Sequence, residues 1–310
     1  MIEVKQISKS FGPNKALDQV SFSVKKGEIL GFLGPNGAGK TTALKIITSF
    51  WPQDEGQVLI DGQDTLKDSL KTRQKIGYLP ETVPLYEDMT VFEYLKFVAG
   101  VRGIKKSEIN QRIEKAVESC GLKGMLKKPI EELSKGYRQR VGLAQAIIHD
   151  GEVLILDEPT TGLDPNQIVE IRDLIKEIGK EKTVIFSTHI LSEVSAVCDR
   201  VIIINQGKIV SEGTPEEITQ KTGAVESFYI KIKGEKEKIW EKLSQIEGVE
   251  KVEIKDKESE GVYGYEVVPQ KGSDVREKIS SLVVSEGWSL LEFNKKQVSL
   301  EDAFRNLTNN

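Results

Sequence analysis

Nine consecutive residues, Gly34 to Thr42 (GPNGAGKTT), set three glycines, a lysine and two threonine hydroxyls at the spacing that lets a backbone wrap a cluster of phosphate oxygens. Gly34, Gly37 and Gly39 let the chain turn and approach closely with no Cβ in the way, and Pro35, Asn36 and Ala38 complete the loop. Lys40 can reach β and γ oxygens, and Thr41, with Thr42 beside it, offers a hydroxyl to Mg²⁺. Ahead of the loop stands an apolar run with Ile29, Leu30, Phe32 and Leu33. Behind it, Lys40 to Phe50 carries Leu44, Ile47 and Phe50 at helical spacing and stops at Pro52. A phosphate held here rests on a helix N-terminus, so the expected ligand is a nucleoside triphosphate, ATP or GTP.

A second chemical feature is Val153-Leu-Ile-Leu-Asp157-Glu158, in which an apolar strand ends on two carboxylates. Asp157, at the strand end, is placed to meet the metal side of a bound nucleotide. Glu158, one residue beyond, can turn toward a water in line with the γ-phosphate as general base. His189 follows a Val-Ile-Phe strand, and His149 falls near the end of a helical pattern, where service to the helix C-terminus is expected rather than catalysis.

The surrounding pattern supplies elements to hold these groups. Strand signals cover Ile2 to Val24 and Val58 to Ile60, and a helical block runs from Val91 to Cys120, with Phe92, Leu95, Val98 and Ala99 recurring at helical spacing. Buried-strand patterns return at Val153 to Leu156, Thr183 to Phe186 and Val201 to Asn205, with a helix near Val169 to Ile178. The alternation predicts a parallel α/β sheet interrupted by a helical insert at about residues 88–150. After the polar stretch Gln220 to Ala224 the pattern changes to strand, helix, strand, strand, helix, strand over residues 226–294, a ferredoxin-like βαββαβ order. Two domains are therefore expected, 1–223 and 224–310.

With 310 residues and a net charge of −4, and neither part net basic, the chain offers no basic field for nucleic acid, and none is expected as partner. Two cysteines, Cys120 and Cys198, in apolar settings read as packed thiols in a reducing compartment. The start MIEVKQISKSFG has no basic segment followed by an apolar stretch. The longest apolar runs fall far short of the roughly 20 residues of a membrane span, so any membrane work is expected to use another chain.

Taken together, GPNGAGKTT, LSKGYRQR (Leu133 to Arg140), VLILDEPTTGLDP (Val153 to Pro165) and STHI (Ser187 to Ile190) resemble, in identity and order, the motifs of ABC transporter ATPases over about the first 220 residues. The resemblance implies a P-loop NTPase cassette with a helical subdomain, hydrolysing Mg-ATP. It implies that Ser134 and Gly136 belong to the signature loop that contacts ATP held by an opposing subunit, that Asp164 lies in the loop linking the two sites, and that His189 is the γ-phosphate switch. It also implies that Phe11 stacks on adenine and that Glu81, in Tyr78-Leu-Pro-Glu81, stands where the family's metal-side Gln does. Lys135 and Tyr137 depart from the commonest signature, and with Glu81 and the ending VSLEDAFRNLT they resemble the exporter branch, including drug-export and gliding-motility-associated ATPases. On that resemblance the partners are a transmembrane permease and a second cassette, most simply an identical copy, and the protein sits in the cytoplasm against the membrane. Two other readings share the motifs. A cassette acting on the ribosome or DNA is opposed by the acidic balance, and a regulatory subunit without turnover is opposed by the presence of both Glu158 and His189.

Overall fold

The structure is a computed structural model and describes residues 2–221, 227–259, 261–270, 272–296 and 300–308. It divides into two units, Met1–Pro215 and Glu216–Asn310. The expected boundary at Gly223 falls among residues 222–226, outside the described residues.

The first unit opens with β1 (Ile2–Phe11) and β2 (Asn14–Val24), then β3 (Ile29–Leu33), α1 (Lys40–Ile47), β4 (Glu55–Ile60), the short β5 (Gln63–Asp64), α2 (Ser69–Lys75) and β6 (Ile76–Leu79). A helical segment follows: α3 (Val91–Val101), α4 (Ile109–Ser119) and α5 (Lys135–Ile147). The chain then returns through β7 (Val153–Asp157), α6 (Pro165–Gly179), β8 (Thr183–Thr188), α7 (Leu191–Val197), β9 (Arg200–Asn205) and β10 (Lys208–Gly213). The central sheet has the order β10-β9-β3-β8-β7-β6, parallel except at β10. Every residue of β3, β7 and β8 is buried, as unbroken Val/Ile/Leu runs require of strands covered on both faces.

The N-terminal strands do not join the parallel sheet; β2-β1-β4-β5 form a separate antiparallel sheet. Phe11 pairs with Asn14 across a two-residue turn in which Gly12 has φ +58°, and so short a connection can join only antiparallel strands. One core lies between this sheet and the central one, with Ile2, Leu17, Val58 and Ile60 meeting α1 and Phe32, Ile155 and Ile202. A second core joins the helical segment to the other face of the sheet through Leu95, Ile113, Val117, Val141, Ile171 and Phe186.

The helical block also resolves into more detail than its periodicity carries. The Thr90 side chain accepts the Glu93 N–H while Glu93 reaches back to Thr90, a capping box that starts α3. The helical block to Cys120 is divided into α3 and α4 at Gly103, whose φ of +75° no right-handed helix can accommodate.

In the second unit α8 (Pro215–Lys221) is followed by β11 (Ser227–Lys233), α9 (Lys236–Ser244), β12 (Val249–Ser259), β13 (Val262–Pro269), α10 (Arg276–Ser285), β14 (Ser289–Lys296) and α11 (Leu300–Thr308). The all-antiparallel strand order β12-β13-β11-β14 is that of a ferredoxin-like βαββαβ unit. Its own core, with Phe228, Ile230, Tyr265 and Val267 under Ile239, Leu243 and Ile279, is apolar.

Candidate functional site

Strands β3, β7 and β8 lie side by side in the order β3-β8-β7, so the three segments expected to carry chemistry leave the same edge of one sheet. The phosphate loop leaves β3, Asp157 and Glu158 end β7, and Ser187, Thr188 and His189 end β8. Parallel strands put their C-terminal ends together, which turns three distant sequence motifs into one cleft.

The loop's glycines are required by space as well as by dihedral angle. Gly37 and Gly39 have φ of +78° and +108°. A Cβ on Gly39 would lie 2.6 Å from the Ala16 carbonyl oxygen, and one on Gly34 would lie 2.5 Å from that of Ile204. Helix α1 starts after Gly39 with no side-chain cap and no acidic residue in its first turn, so its N–H groups and the positive end of its dipole face the cleft uncompensated. The cleft, about 350 Å³, is lined by Ala16, Asn36, Gly37, Gly39, Lys40, Thr41, Thr42, Glu81, Glu158, Thr161 and His189. Gly34 and Pro35 contribute carbonyls to Lys40, and Ala38 is buried beneath the loop.

Lys40 and Glu158 are both almost fully buried. The Lys40 ammonium donates to the Gly34 carbonyl at 2.7 Å and the Pro35 carbonyl at 3.2 Å, and stands 3.2 Å from Glu158 Oε1. The other Glu158 oxygen is 2.9 Å from His189 Nδ1, with the Thr161 hydroxyl at 3.4 Å. Glu158 also has a φ of +48°, unusual for a side chain with a Cβ, and its N–H is pinned by the Ser187 hydroxyl at 3.0 Å and the Ser187 carbonyl at 3.2 Å. The carboxylate is thus clamped between Lys40 and His189.

Asp157 has no exposed surface. Its Oδ1 accepts from the Ser187 hydroxyl at 2.7 Å and the Thr41 hydroxyl at 3.2 Å, while its buried Oδ2 has no partner. Burial pushes this carboxyl above the usual carboxylate range, and the nearby charges of Glu158 and Glu81 push in the same direction. The hydrogen bonds from Ser187 and Thr41 oppose them. The orphaned buried oxygen of Asp157, the Thr41 hydroxyl bonded to that carboxylate and the nearby Glu81, which lines the cleft with Thr41, make an all-oxygen donor set of the kind that suits a hard divalent cation such as Mg²⁺.

Not every expected site residue comes to this cleft. Ser134 caps α5, accepting from Tyr137 N–H, and Asp164 caps α6, accepting from Gln167 N–H at 3.0 Å. These two helix starts adjoin one another, because a Cβ on Gly136 would meet the Gln167 side chain at 2.6 Å and one on Gly162 would meet the Lys135 ammonium. None of Ser134, Gly136 and Asp164 lines the cleft around Lys40. Phe11, at the β1–β2 hairpin tip, is 44% exposed and packs edge-on against Trp51 at 5.1 Å between centroids. The hairpin residue that lines the cleft is Ala16.

His149 differs from its expected role. Burial and the charges of Arg102 and Lys182 lower its pKa to about 4, so it is neutral near pH 7 and lends no positive charge to the end of α5. The thiols are packed as expected: burial pushes Cys120 up to about 12, and Cys198 lies against Gly31 of β3. Ser187 and Thr161 were not singled out from sequence. Ser187 had a signal, since it begins Ser-Thr-His, but its role depends on β8 lying beside β7.

A family model described as ABC transporter matches residues 17–161. The linearmycin resistance ATP-binding protein LnrL of Bacillus subtilis (strain 168) is 31% identical over 313 residues, spanning 99% of this chain and 98% of its own. Among solved structures, an ATP-binding subunit of an ABC transporter has a TM-score of 0.65 at 31% identity, covering 72% of this chain and 93% of that one. A dimeric ATP-binding cassette in a post-hydrolysis state, bound to ADP and Pi, has a TM-score of 0.63 at 27% identity, covering 69% of this chain and 98% of its own.

Proposed function

The chain belongs to the ATP-binding subunits of ABC transporters and is an ATPase, and from that premise we propose that it energises a membrane exporter whose transmembrane path is a separate permease. The observation that carries the proposal is the separation of two half-sites: Lys40, Thr41, Glu158 and His189 share one cleft, with Asp157 buried behind it on the Thr41 hydroxyl, while Ser134, Gly136 and Asp164 cluster at adjoining helix starts outside it. A single copy leaves the second cluster without a nucleotide. Two copies related by a twofold axis would place each cluster over the other's cleft, and the dimeric ADP-bound cassette similar to this chain supports that arrangement.

In the proposed reaction the phosphate loop and the α1 N-terminus hold the β- and γ-phosphates, and Lys40 leaves Glu158 for them. That exchange frees Glu158 Oε1. Water attacks the γ-phosphorus, the bond from it to the β-phosphate oxygen breaks so that ADP leaves with that oxygen, and Glu158 takes the water's proton while His189 orients the carboxylate and the transferring phosphoryl group. Bound Mg²⁺, held by Thr41, Asp157 Oδ2 and Glu81, would supply neutralisation of the phosphate charge.

Export as the direction of transport is supported by the resistance protein similar to this chain over its whole length. Among the described residues no helix is long and apolar enough to cross a membrane. Phe92, Phe97 and Val101 of α3, with Tyr86 of the preceding loop against Phe97, expose apolar surface, which suits contact with a membrane partner at the inner face. We assign the protein to the cytoplasmic side on the same reasoning. Affinity purification from detergent-solubilised membranes tests the reading. Recovery of a polytopic membrane protein with a stimulated phosphate-release rate is expected, and recovery of ribosomes or DNA in its place would overturn it.

A further inference from the structure

The segment that carries His189 is held by a residue to which the reaction above gives no part. Glu193, in the first turn of α7, is only 1% exposed. Its Oε2 accepts from the Thr188 hydroxyl at 2.7 Å, and its Oε1 is buried with no partner. A leucine at this position would cover the same face of α7, beside Val194 and Val197, with no charge to desolvate. The gain from a carboxylate must therefore lie in what it binds, and its partner is Thr188.

Thr188 is itself fully buried and joins three things. Its hydroxyl donates to Glu193 and accepts the Ile190 N–H at 3.0 Å, bridging the peptide on either side of His189. Its carbonyl accepts the Gly34 N–H at 3.4 Å, tying the same residue to the first position of the phosphate loop. A hydroxyl is free to rotate about its C–O bond, and without Glu193 its proton has no fixed direction. With Glu193 the proton is committed to the carboxylate, which leaves a lone pair aimed at Ile190 N–H. We propose that Glu193 is a positioning residue for His189, acting through Thr188 to fix the backbone on both sides of the imidazole so that Nδ1 meets the Glu158 carboxylate. The proposal rests on His189 and Glu158 acting in ATP hydrolysis as described above.

Steady-state phosphate release by the full-length protein, with kcat and KM for ATP measured separately, tests it. Glu193→Leu keeps the volume and removes the acceptor; Thr188→Val keeps the shape and removes the hydroxyl. Each should lower kcat about tenfold with KM changed less than twofold, and the double variant should be no worse than either single, because both cut one connection. Glu193→Gln and Thr188→Ser keep an acceptor and a hydroxyl and should recover most of the rate. Placed in a His189→Ala background, Glu193→Leu should have no further effect. Wild-type kcat in soluble Glu193→Leu, or a further drop in the His189→Ala background, would overturn the proposal. If Glu193→Leu does not fold, the kcat of Thr188→Val against that of Thr188→Ser decides. Wild-type turnover in His189→Ala alone would instead remove the reading of the site on which the proposal rests.

Discussion

Replacing Glu158 with Gln should tighten nucleotide binding before any effect on cleavage is considered. In the structure the Lys40 ammonium is shared between two backbone carbonyls and Glu158, with lysine and glutamate side chains only 6% and 7% exposed. Phosphate groups must draw Lys40 away from that carboxylate and then lie beside its negative charge. Unit charges about 4 Å apart interact by about 4 kcal/mol at an effective dielectric of about 20. A glutamine amide keeps a hydrogen bond to Lys40, and the open cleft admits water, so the net gain should be about 1 to 3 kcal/mol, or roughly 5- to 150-fold in Kd. The assay is equilibrium titration with a fluorescent, non-hydrolysable ATP analogue at protein concentrations that keep the chain monomeric. ADP should show a gain of similar size, because its β-phosphate also needs Lys40; this separates release of the lysine from trapping of uncleaved ATP. His189→Ala, which removes the other contact to Glu158 and leaves the charge, should change affinity little. Equal Kd values within twofold for wild type and Glu158→Gln would refute the reasoning.

Asp157→Asn should abolish metal-dependent turnover and yet raise the nucleotide-free melting temperature by a few degrees, since it removes a buried charge with an unpartnered oxygen, worth about 1–2 kcal/mol; scanning calorimetry that finds a lower value would count against this. Gly39→Ala forces a Cβ to φ +108° and to within 2.6 Å of the Ala16 carbonyl, so urea unfolding should show a loss of about 2–4 kcal/mol together with weakened ATP binding. His149, lowered to about 4 from 6.5, makes the unfolded chain the stronger proton binder between those values. Its contribution is therefore complete above pH 6.5 and lost on acidification, by about 2 kcal/mol at pH 5. A His149→Gln variant should flatten that part of the stability profile, and identical profiles for the two proteins would refute the assignment.

The phosphate loop, Asp157, Glu158 and His189 were legible in the sequence because each motif is local. A glycine-rich turn between an apolar strand and a helix, or a carboxylate pair at the end of a Val-Leu-Ile-Leu run, carries its own geometry within a few residues. The ferredoxin-like order of the second unit was legible for the same reason, since alternation and helical spacing are short-range signals. Which strands become neighbours is another matter. β3 lies between β8 and β9, partners some 150 and 170 residues away, and no periodicity encodes that choice. It follows from how apolar faces are covered once the whole chain collapses. That non-local choice alone makes Ser187 a partner of Asp157, clamps Glu158 between Lys40 and His189, buries Glu193 against Thr188, and draws Gly136 to Gln167 away from the cleft. The sequence by itself determined which residue types stand at the ends of which local elements. Only the tertiary structure decided which of them touch, because contact depends on long-range strand adjacency whereas residue type and local conformation do not.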